Sequence, residues 1–269
     1  MTPTQAEITR LQSYLREIAR IQYDSVVLPP FTLFIKPTDP LTYYNYAIPD
    51  GPVSGDLADV LSALRAEFRA RGRTPRFEFF EAYAPELPAA LRDCGFVEES
   101  RNWSMTCTPG GLRRPPEVPR LSVSAIGAQS TGEDLGDFLS AQRQGFDPEN
   151  TTPVTAEEVT RARDSFTRSG AGAFLGRLDG APAGASYYSR PMGGVSELAG
   201  IATLTAFRKR GIASLLTWYA AQAVFEAGVE VAFLTAEDAR AGRVYERVGF
   251  QSFSTMLAYS DPTEESAHP

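Results

Sequence analysis

The stretch 197–250 contains a junction between a strand and a helix that restricts the folds this chain can adopt. A strand-like run ending at Leu204 leads through Arg208-Lys209-Arg210-Gly211-Ile212-Ala213 into an amphipathic helix. The first N–H groups of a helix have no intrahelical partners and carry positive partial charge, so this loop is suited to bind a diphosphate through its main chain. Gly211 lets the backbone approach such a group without an intervening side chain. The pattern Arg-x-x-Gly-x-Ala is weak by itself, and its surroundings must supply the specificity.

Length and composition favour a globular protein of two domains. The 269 residues are 43% hydrophobic and 22% charged, an ordinary balance in a chain long enough for two domains of typical size. The formal net charge is -7 and the sequence pI is near 5.0. This argues against a nucleic-acid partner, which requires a broad basic face, and is compatible with a cationic substrate.

The cysteines, the histidine and the apolar runs indicate the cellular compartment and whether a metal site is expected. Cys94 and Cys107 are too few for a disulfide framework, and the start of the chain does not resemble a signal peptide, so we expect a cytoplasmic protein. No apolar run approaches the roughly 20 residues that span a bilayer, so we expect no membrane partner. The only histidine, His268, lies in a polar tail, and we therefore expect no metal site.

The N-terminal part of the chain predicts alternating helices and strands. Thr4 and Glu7 form a capping-box pattern, and apolar residues at helical spacing follow it. Pro and Gly punctuation separates the later segments. These are predicted as strands at 31–35 and 42–48, a helix at 57–68, a strand at 76–82, a short helix, and a strand at 96–106.

The C-terminal part predicts a similar mixture. Asp179-Gly180 marks a hairpin turn between two strands, and Thr155 with Glu158 forms a second capping box. The remaining predictions are a strand at 121–126, a helix around 135–139, a loop at 144–152, and strands at 230–236 and up to about 259.

The two parts resemble each other. The segments 77–96 and 231–250 both span 19 positions (96 − 77 and 250 − 231) and both end in Gly-Phe. A shift of 154 residues (231 − 77) places Leu91 opposite Tyr245, and the loop at 52–56 opposite the basic loop. The first copy lacks the arginines and adds Asp56, so it is not expected to bind phosphate. Coincidence is the alternative, because Gly-Phe often enters a strand after a helix.

The C-terminal part resembles the GNAT acyltransferase superfamily over about residues 120–260. The shared features are the loop Arg208 to Ala213, the helix containing Val244-Tyr245-Glu246-Arg247, the closing Gly249-Phe250 and the preceding hairpin at 173–184. The resemblance implies an α/β (α+β) chain of two GNAT-like domains, each a mixed, mostly antiparallel sheet flanked by helices. The implied divisions are a degenerate N-terminal domain at 1–110, a linker at 111–119, a catalytic domain at 120–260 and a tail at 261–269.

The resemblance also implies two catalytic residues. Glu197 lies 14 positions before Gly211 (211 − 197), where members of the family place a general base. Tyr245 lies where the family places the acid that protonates the leaving thiolate. The alternatives are a solvated carboxylate at a strand end and an aromatic residue that anchors its helix on the sheet.

Coenzyme contacts follow from the same resemblance. The strand 197–203 is expected to present Glu197, Ala199, Ile201 and Thr203 on one face, and Gly200 is expected to mark a bulge. Three of the implied residues have an alternative role. These are Lys209 as a side chain that faces solvent, Ser214 as an ordinary first-turn serine, and Asp238 as a helix cap. The implied coenzyme-binding residues are Ile201, Ala202, Thr203, Arg208, Lys209, Arg210, Gly211, Ile212, Ala213, Ser214 and Asp238.

The resemblance implies an acyl-CoA-dependent N-acyltransferase. We expect acetyl transfer from acetyl-CoA to the primary amine of a small molecule or a peptide, by direct attack in a ternary complex, in a monomer or homodimer. One alternative is a non-catalytic module that binds or senses acyl-CoA. Another is a specialised tandem transferase for a cysteinyl or aminoglycoside-like metabolite.

Overall fold

A computed structural model of the protein describes residues 3–37 and 39–261, so His268 and the predicted polar tail beyond 261 lie outside the described residues. The described chain forms two compact units. Unit 1 holds the described residues up to Ser104 together with those from Phe253 onward, and unit 2 holds Met105–Ser252. No helix in the described ranges has the length and apolar character required to cross a membrane.

The helices and strands alternate along the chain. In chain order they are α1 (Gln5–Gln22), β1 (Asp24–Leu28), β2 (Phe31–Ile35), β3 (Tyr46–Pro49), α2 (Ala58–Arg69), β4 (Arg76–Phe80), α3 (Leu87–Asp93), β5 (Val97–Cys107), β6 (Leu121–Ile126), α4 (Gly132–Phe146), α5 (Ala156–Ser169), β7 (Gly172–Leu178), β8 (Ala181–Tyr188), β9 (Val195–Thr203), α6 (Ile212–Glu226), β10 (Val231–Ala236), α7 (Ala239–Val248) and β11 (Gln251–Ser260).

Unit 1 is a mixed sheet with strand order β1-β2-β3-β4-β11-β5. β1, β2 and β3 pair antiparallel, and β3 pairs parallel with β4 across α2. β11 pairs antiparallel with β4, with Met256 opposite Phe80 and Ser260 opposite Arg76. Residues 253–260, which the sequence placed in the C-terminal domain, therefore belong to the sheet of unit 1.

The start of α2 differs from a phosphate-binding helix start. The Asp56 carboxylate accepts a hydrogen bond from the backbone N–H of Ala58 at 2.9 Å. A carboxylate at this position satisfies a first-turn donor and repels an incoming anion. The geometry agrees with the expectation that the first copy does not bind phosphate.

Two local predictions are wrong. The predicted strand at 42–48 begins with a 3-10 turn at Thr42–Tyr44 and becomes a strand only at Tyr46. The buried Asn45 side chain causes this, because it accepts from Lys36 N–H and donates to the carbonyls of Asp39 and Leu41 at 2.8–3.0 Å. The predicted loop at 144–152 is also too long, since α4 continues to Phe146.

Unit 2 is a sheet of order β10-β9-β8-β7-β6. β6 to β9 pair antiparallel and β9 pairs parallel with β10 across α6, the same arrangement as β3, α2 and β4 in unit 1. The predicted hairpin is confirmed, with Asp179 and Gly180 at φ 52° and 82°, the positive values that a type I′ turn requires. The capping box of Thr155 and Glu158 is also confirmed.

The sheet of unit 2 is covered on both faces. On one face, Leu135 and Phe138 of α4 and Phe166 of α5 pack against Leu175 and Ala185. On the other face, α6 packs against β7 and β8 through a separate cluster that includes Leu178, Ala183, Ile212 and Leu216. The two faces therefore have different helices, and the start of α6 lies on only one of them.

β9 contains the predicted bulge. Its register with β8 runs Thr203–Gly184 and Ala202–Ala185, then shifts so that Ala199 faces Tyr187, and Gly200 has φ +59°. Because of the extra residue, the side chains beyond Gly200 point to the opposite faces of the sheet from those that simple alternation predicts. Ala199 and Ala202 therefore share a face, and the prediction that Ile201 and Thr203 continue the face of Glu197 and Ala199 is wrong.

Candidate active site

The site begins where β9 and β10 separate. These parallel strands pair from Val195–Val231 to Glu197–Phe233, and the register ends there. β9 then continues through its bulge to Thr203, and β10 continues to Ala236. The strand edges beyond Glu197 thus form an opening whose β9 side leads to the start of α6.

The start of α6 presents unpaired main-chain donors. Gly211 is the N-cap residue at φ +88°, and no side chain caps this helix end. The first bond back along the helix is from Leu215 N–H to Gly211 O at 3.2 Å. Within the described chain, no hydrogen bond occupies the N–H groups of Ile212, Ala213 and Ser214. Such a helix end is a ready anion site.

A cavity of about 520 Å³ lies against this helix start. It is bordered by the end of β9, the basic loop and one side of α7, and its wall contains no carboxylate. The Thr203 hydroxyl in this wall is buried and has no hydrogen-bond partner in the described structure. Its unmet hydrogen-bonding capacity suits a polar ligand that follows β9 toward α6. The cationic side chains in the wall are Arg208, Lys209, Arg240, Arg243 and Arg247.

Sequence reasoning missed the three arginines of α7. Arg240, Arg243 and Arg247 are three and four positions apart, so they share one face of the helix. In the described part of the chain none of them forms an ion pair, whereas Arg177 pairs with two aspartates at 2.8 Å. Unpaired like charges around one cavity repel each other, and a bound anion offsets this electrostatic repulsion.

The structure gives Arg208 main-chain contacts. Its Nε donates to Thr203 O at 3.1 Å and its Nη2 donates to Gly145 O at 3.0 Å. Nearby, Gln142 Nε2 donates to the carbonyl of Gly200 at 2.5 Å. These bonds brace the bulged end of β9 against α4. The predicted contact between Arg208 and a phosphate stays a prediction.

Other predicted coenzyme ligands occupy different places. Lys209 lines the cavity with φ +64°, while the Arg210 guanidinium stands over the Phe207 ring at 5.8 Å. Ser214 is buried at the cavity wall. Asp238 is the N-cap of α7 and accepts from Ala241 N–H at 2.7 Å, which confirms the helix-cap alternative.

Glu197 lies at the apex of the strand opening. It is half-buried and occupies the last paired position of β9, opposite Phe233. Burial first, and then the charge of Glu197, raise the pKa of Tyr187. Glu197 and Tyr187 are therefore close enough for electrostatic coupling on one face of the sheet.

Tyr245 lies in the core between α6, α7 and β10. Its side chain is 8% exposed and packs edge-on against Phe250, with ring centroids 6.4 Å apart. Burial, followed by the charges of Glu237 and Asp238, raises the pKa of Tyr245 to about 12. The phenol is therefore fully protonated at neutral pH and can act as a proton donor. The contact with Phe250 is also the one expected of an aromatic residue that anchors its helix.

Across residues 3–37 and 39–261 no cluster of three or more His, Cys, Asp or Glu side chains is arranged to hold a metal ion.

Part of the chain matches the model of a known protein family. Residues 139–250 match the family model described as Acetyltransferase (GNAT) family. A GCN5-related N-acetyltransferase from Kribbella flavida is similar in structure, with 25% identity, a TM-score of 0.78 and 95% of each chain covered. Among curated proteins the comparison found no match.

Two more distant structures share the fold. A GCN5-related N-acetyltransferase from Sphaerobacter thermophilus has 14% identity and a TM-score of 0.62, with 86% of this chain and 76% of that chain covered. A tandem GNAT protein from the clavulanic acid biosynthesis pathway has 14% identity and a TM-score of 0.62, with coverage of 86% and 77%.

Proposed function

We propose that this chain, whose residues 139–250 match the GNAT acetyltransferase family model, transfers an acetyl group from acetyl-CoA to a primary amine by direct attack in a ternary complex. The observation that carries the proposal is the cluster of unpaired cations around the uncapped start of α6, beside the opening between β9 and β10. An acidic chain that places five cationic side chains around one helix start is well arranged for a polyanionic substrate.

The diphosphate of the substrate would bind at the start of α6. The N–H groups of Ile212, Ala213 and Ser214 point out of the first turn, and Arg240 and Arg243 line the same cavity from α7. Main-chain donors hold the group in position, and the arginines neutralise its charge. The Gly211 conformation keeps this end of the helix open.

The pantetheine arm would lie along β9. Beyond Glu197 the register with β10 has ended, so the β9 backbone at Ile201 to Thr203 faces the opening. Arg208 already occupies one lone pair of Thr203 O, which fixes the direction of this strand end. The buried Thr203 hydroxyl adds a further partner for the arm.

Glu197 and Tyr245 are the proposed acid–base pair. The amine nitrogen forms a bond to the thioester carbonyl carbon, and Glu197 accepts the proton that the amine releases, directly or through water. The carbon–sulfur bond then breaks, and Tyr245 donates its phenolic proton to the departing thiolate. Because the pKa of Tyr245 is raised to about 12, the phenol remains protonated at neutral pH until the thiolate leaves.

A second candidate function is a non-catalytic acyl-CoA binding module. The observation that favours it is the packing of Tyr245, which is almost fully buried and lies edge-on against Phe250 as a structural anchor would. In this alternative the cationic cavity still binds the coenzyme, while Glu197 and Tyr245 have no chemical role.

Acetyl transfer to a library of primary amines separates the two functions. With radiolabelled acetyl-CoA, the enzyme proposal expects product on at least one amine above the rate without protein, and Tyr245→Phe should reduce kcat without weakening coenzyme binding. Tight coenzyme binding with no transfer to any small-molecule or peptide amine would favour the binding module. Absence of both binding and transfer would contradict both candidates.

A further inference from the structure

The side chain of Gln142 reaches from α4 to the bulge of β9. Its Nε2 donates to the carbonyl oxygen of Gly200 at 2.5 Å. A Cβ at Gly200 would lie 2.7 Å from this nitrogen, and the φ of +59° at Gly200 also disfavours a residue with a side chain. The space and the backbone conformation at Gly200 therefore both suit the approach of the Gln142 amide.

The bulge removes the bonded peptide from the regular ladder between β8 and β9. Ala199 and Ala202 are both paired with β8, and between them two residues of β9 lie opposite one residue of β8. The peptide group that joins Gly200 to Ile201 lies in this irregular part. Its carbonyl is held by a helix, and Gln142 supplies the bond.

The same bond sets the direction of a main-chain donor. The carbonyl and the N–H of one trans peptide point in opposite directions, so the Ile201 N–H points away from α4 when the Gly200 carbonyl points toward it. The Ile201 side chain packs against the cluster that contains Tyr245. The donor is therefore directed to the side of the sheet on which the proposed acid lies.

The end of α4 is packed closely enough to give this bond a fixed position. Arg208 donates to the carbonyl of Gly145 at 3.0 Å, and a Cβ at Gly145 would lie 2.5 Å from the Ala202 Cβ. Such close packing limits the movement of the helix relative to the strand. Gln142 therefore projects from a helix end that is itself fixed on β9.

We propose that Gln142 is a positioning residue for acetyl transfer, which holds the Gly200–Ile201 peptide so that the Ile201 N–H donates to the thioester carbonyl oxygen. This inference rests on the proposed function. When the amine nitrogen bonds to the carbonyl carbon, an electron pair of the C=O bond moves to the oxygen, and a donor already in place stabilises the negative charge. When the carbon–sulfur bond breaks, the C=O bond forms again and the thiolate takes the proton of Tyr245. Gln142 acts only through the peptide that it holds.

Gln142→Leu and Gln142→Glu test this role in the full chain. Leucine cannot donate, so kcat should fall by about 10- to 100-fold, no more than the loss of an oxyanion donor itself, while KM for acetyl-CoA stays within a factor of about three. A glutamate side chain can donate to the Gly200 carbonyl only when it is protonated. The kcat of Gln142→Glu relative to the wild type should therefore rise as the pH is lowered from about 8 to about 5.5, because more of the carboxyl group is neutral.

The infrared stretching frequency of the bound thioester carbonyl reports the donor without turnover. With acetyl-CoA that is isotopically labelled at this carbonyl, the wild type should lower the frequency relative to free acetyl-CoA, because a hydrogen bond to the oxygen weakens the C=O bond. At saturating acetyl-CoA, Gln142→Leu should reduce this shift.

Gln144→Leu is the matched control. Gln144 is also a half-buried glutamine of α4, but its Nε2 donates to Ser140 Oγ at 2.9 Å within the same helix. This variant should keep the kcat and the carbonyl frequency of the wild type.

Unchanged kcat and carbonyl frequency in Gln142→Leu would overturn this inference and leave the proposed function standing. A ratio of Gln142→Glu to wild-type kcat that does not change with pH would do the same, and this ratio decides alone if Gln142→Leu does not fold. Failure of the wild type to acetylate any amine would instead contradict the proposed function, and this inference with it.

Discussion

Glu197 on β9 and Phe233 on β10 are the last paired residues of two parallel strands that separate immediately beyond them. This places a carboxylate at the apex of an opening that runs along β9 to the uncapped start of α6. The proposed chemistry depends on this relationship, because it puts the base candidate at one end of the opening and the anion site at the other.

The arginines of α7 are predicted to contribute to coenzyme affinity. Arg243→Gln should weaken acetyl-CoA binding by about tenfold at low salt, because the cavity at the start of α6 loses one unpaired cation. The difference from the wild type should shrink at high salt, where screening reduces the contribution of the charge. Calorimetry at two salt concentrations measures both effects. A loss that did not depend on salt would indicate that Arg243 acts through packing.

Tyr245→Phe is predicted to separate turnover from binding. If the phenol protonates the leaving thiolate, kcat should fall by about 100-fold or more, while the affinity for acetyl-CoA stays within a factor of about two. Phe preserves the edge-on contact with Phe250, so the core should remain intact. Steady-state kinetics with the best amine substrate provides the measurement. Unchanged kcat in a well-folded variant would exclude the acid role.

Tyr245 is also predicted to affect stability at alkaline pH. Its pKa in the folded protein, about 12, lies above the ordinary value of 10, so folding favours the neutral phenol. That contribution is fully present below pH 10 and is lost as the pH rises toward 12, by about 2–3 kcal/mol in total.

Urea denaturation between pH 8 and pH 12 tests this dependence. Other buried tyrosines and Cys107 titrate in the same range in both proteins, so the informative quantity is the difference between wild type and Tyr245→Phe. The wild type should lose more stability than the variant across this range. Parallel curves would show that the phenol of Tyr245 is not desolvated in the folded state.

Two glycines of α4 provide a paired test of how closely this helix packs on the bulged strand. A Cβ at Gly145 would lie 2.5 Å from the Ala202 Cβ, whereas a Cβ at Gly136 would have its nearest neighbour, Val159, at 4.0 Å. Gly145→Ala should therefore destabilise the protein by about 1–3 kcal/mol through overpacking. Gly136→Ala should stabilise it by about 0.5–1 kcal/mol, because alanine favours helix. Similar effects of both changes on the urea midpoint would contradict this packing.

The predictions that succeeded came from local patterns. The capping box of Thr155 and Glu158 and the turn at Asp179-Gly180 each depend on residues within three positions of one another, so the sequence alone specifies them. A glycine inside a predicted strand also indicated the bulge at Gly200. The sequence did not indicate that this bulge would move Ile201 and Thr203 to the other face of β9.

The features that sequence reasoning missed depend on contacts between distant segments. The position of Arg208 is determined by the carbonyl of Gly145, 63 residues away, and no local pattern encodes this bond. The α7 arginines share one face in sequence, but only the packing of α7 beside α6 brings them to the anion site. Likewise, nothing in the pattern of residues 256–260 specifies β4 as their partner.

The main-chain donors at the start of α6 are proposed to bind the diphosphate of acetyl-CoA, and calorimetric titration of the full chain with acetyl-CoA measures this binding. We expect saturable binding at one site per chain, with an affinity that falls as salt is raised. Binding should be lost in Gly211→Val, whose side chain would both strain φ +88° and contact Val118. Absence of binding heat at any salt concentration, or equal affinity in Gly211→Val, would contradict it.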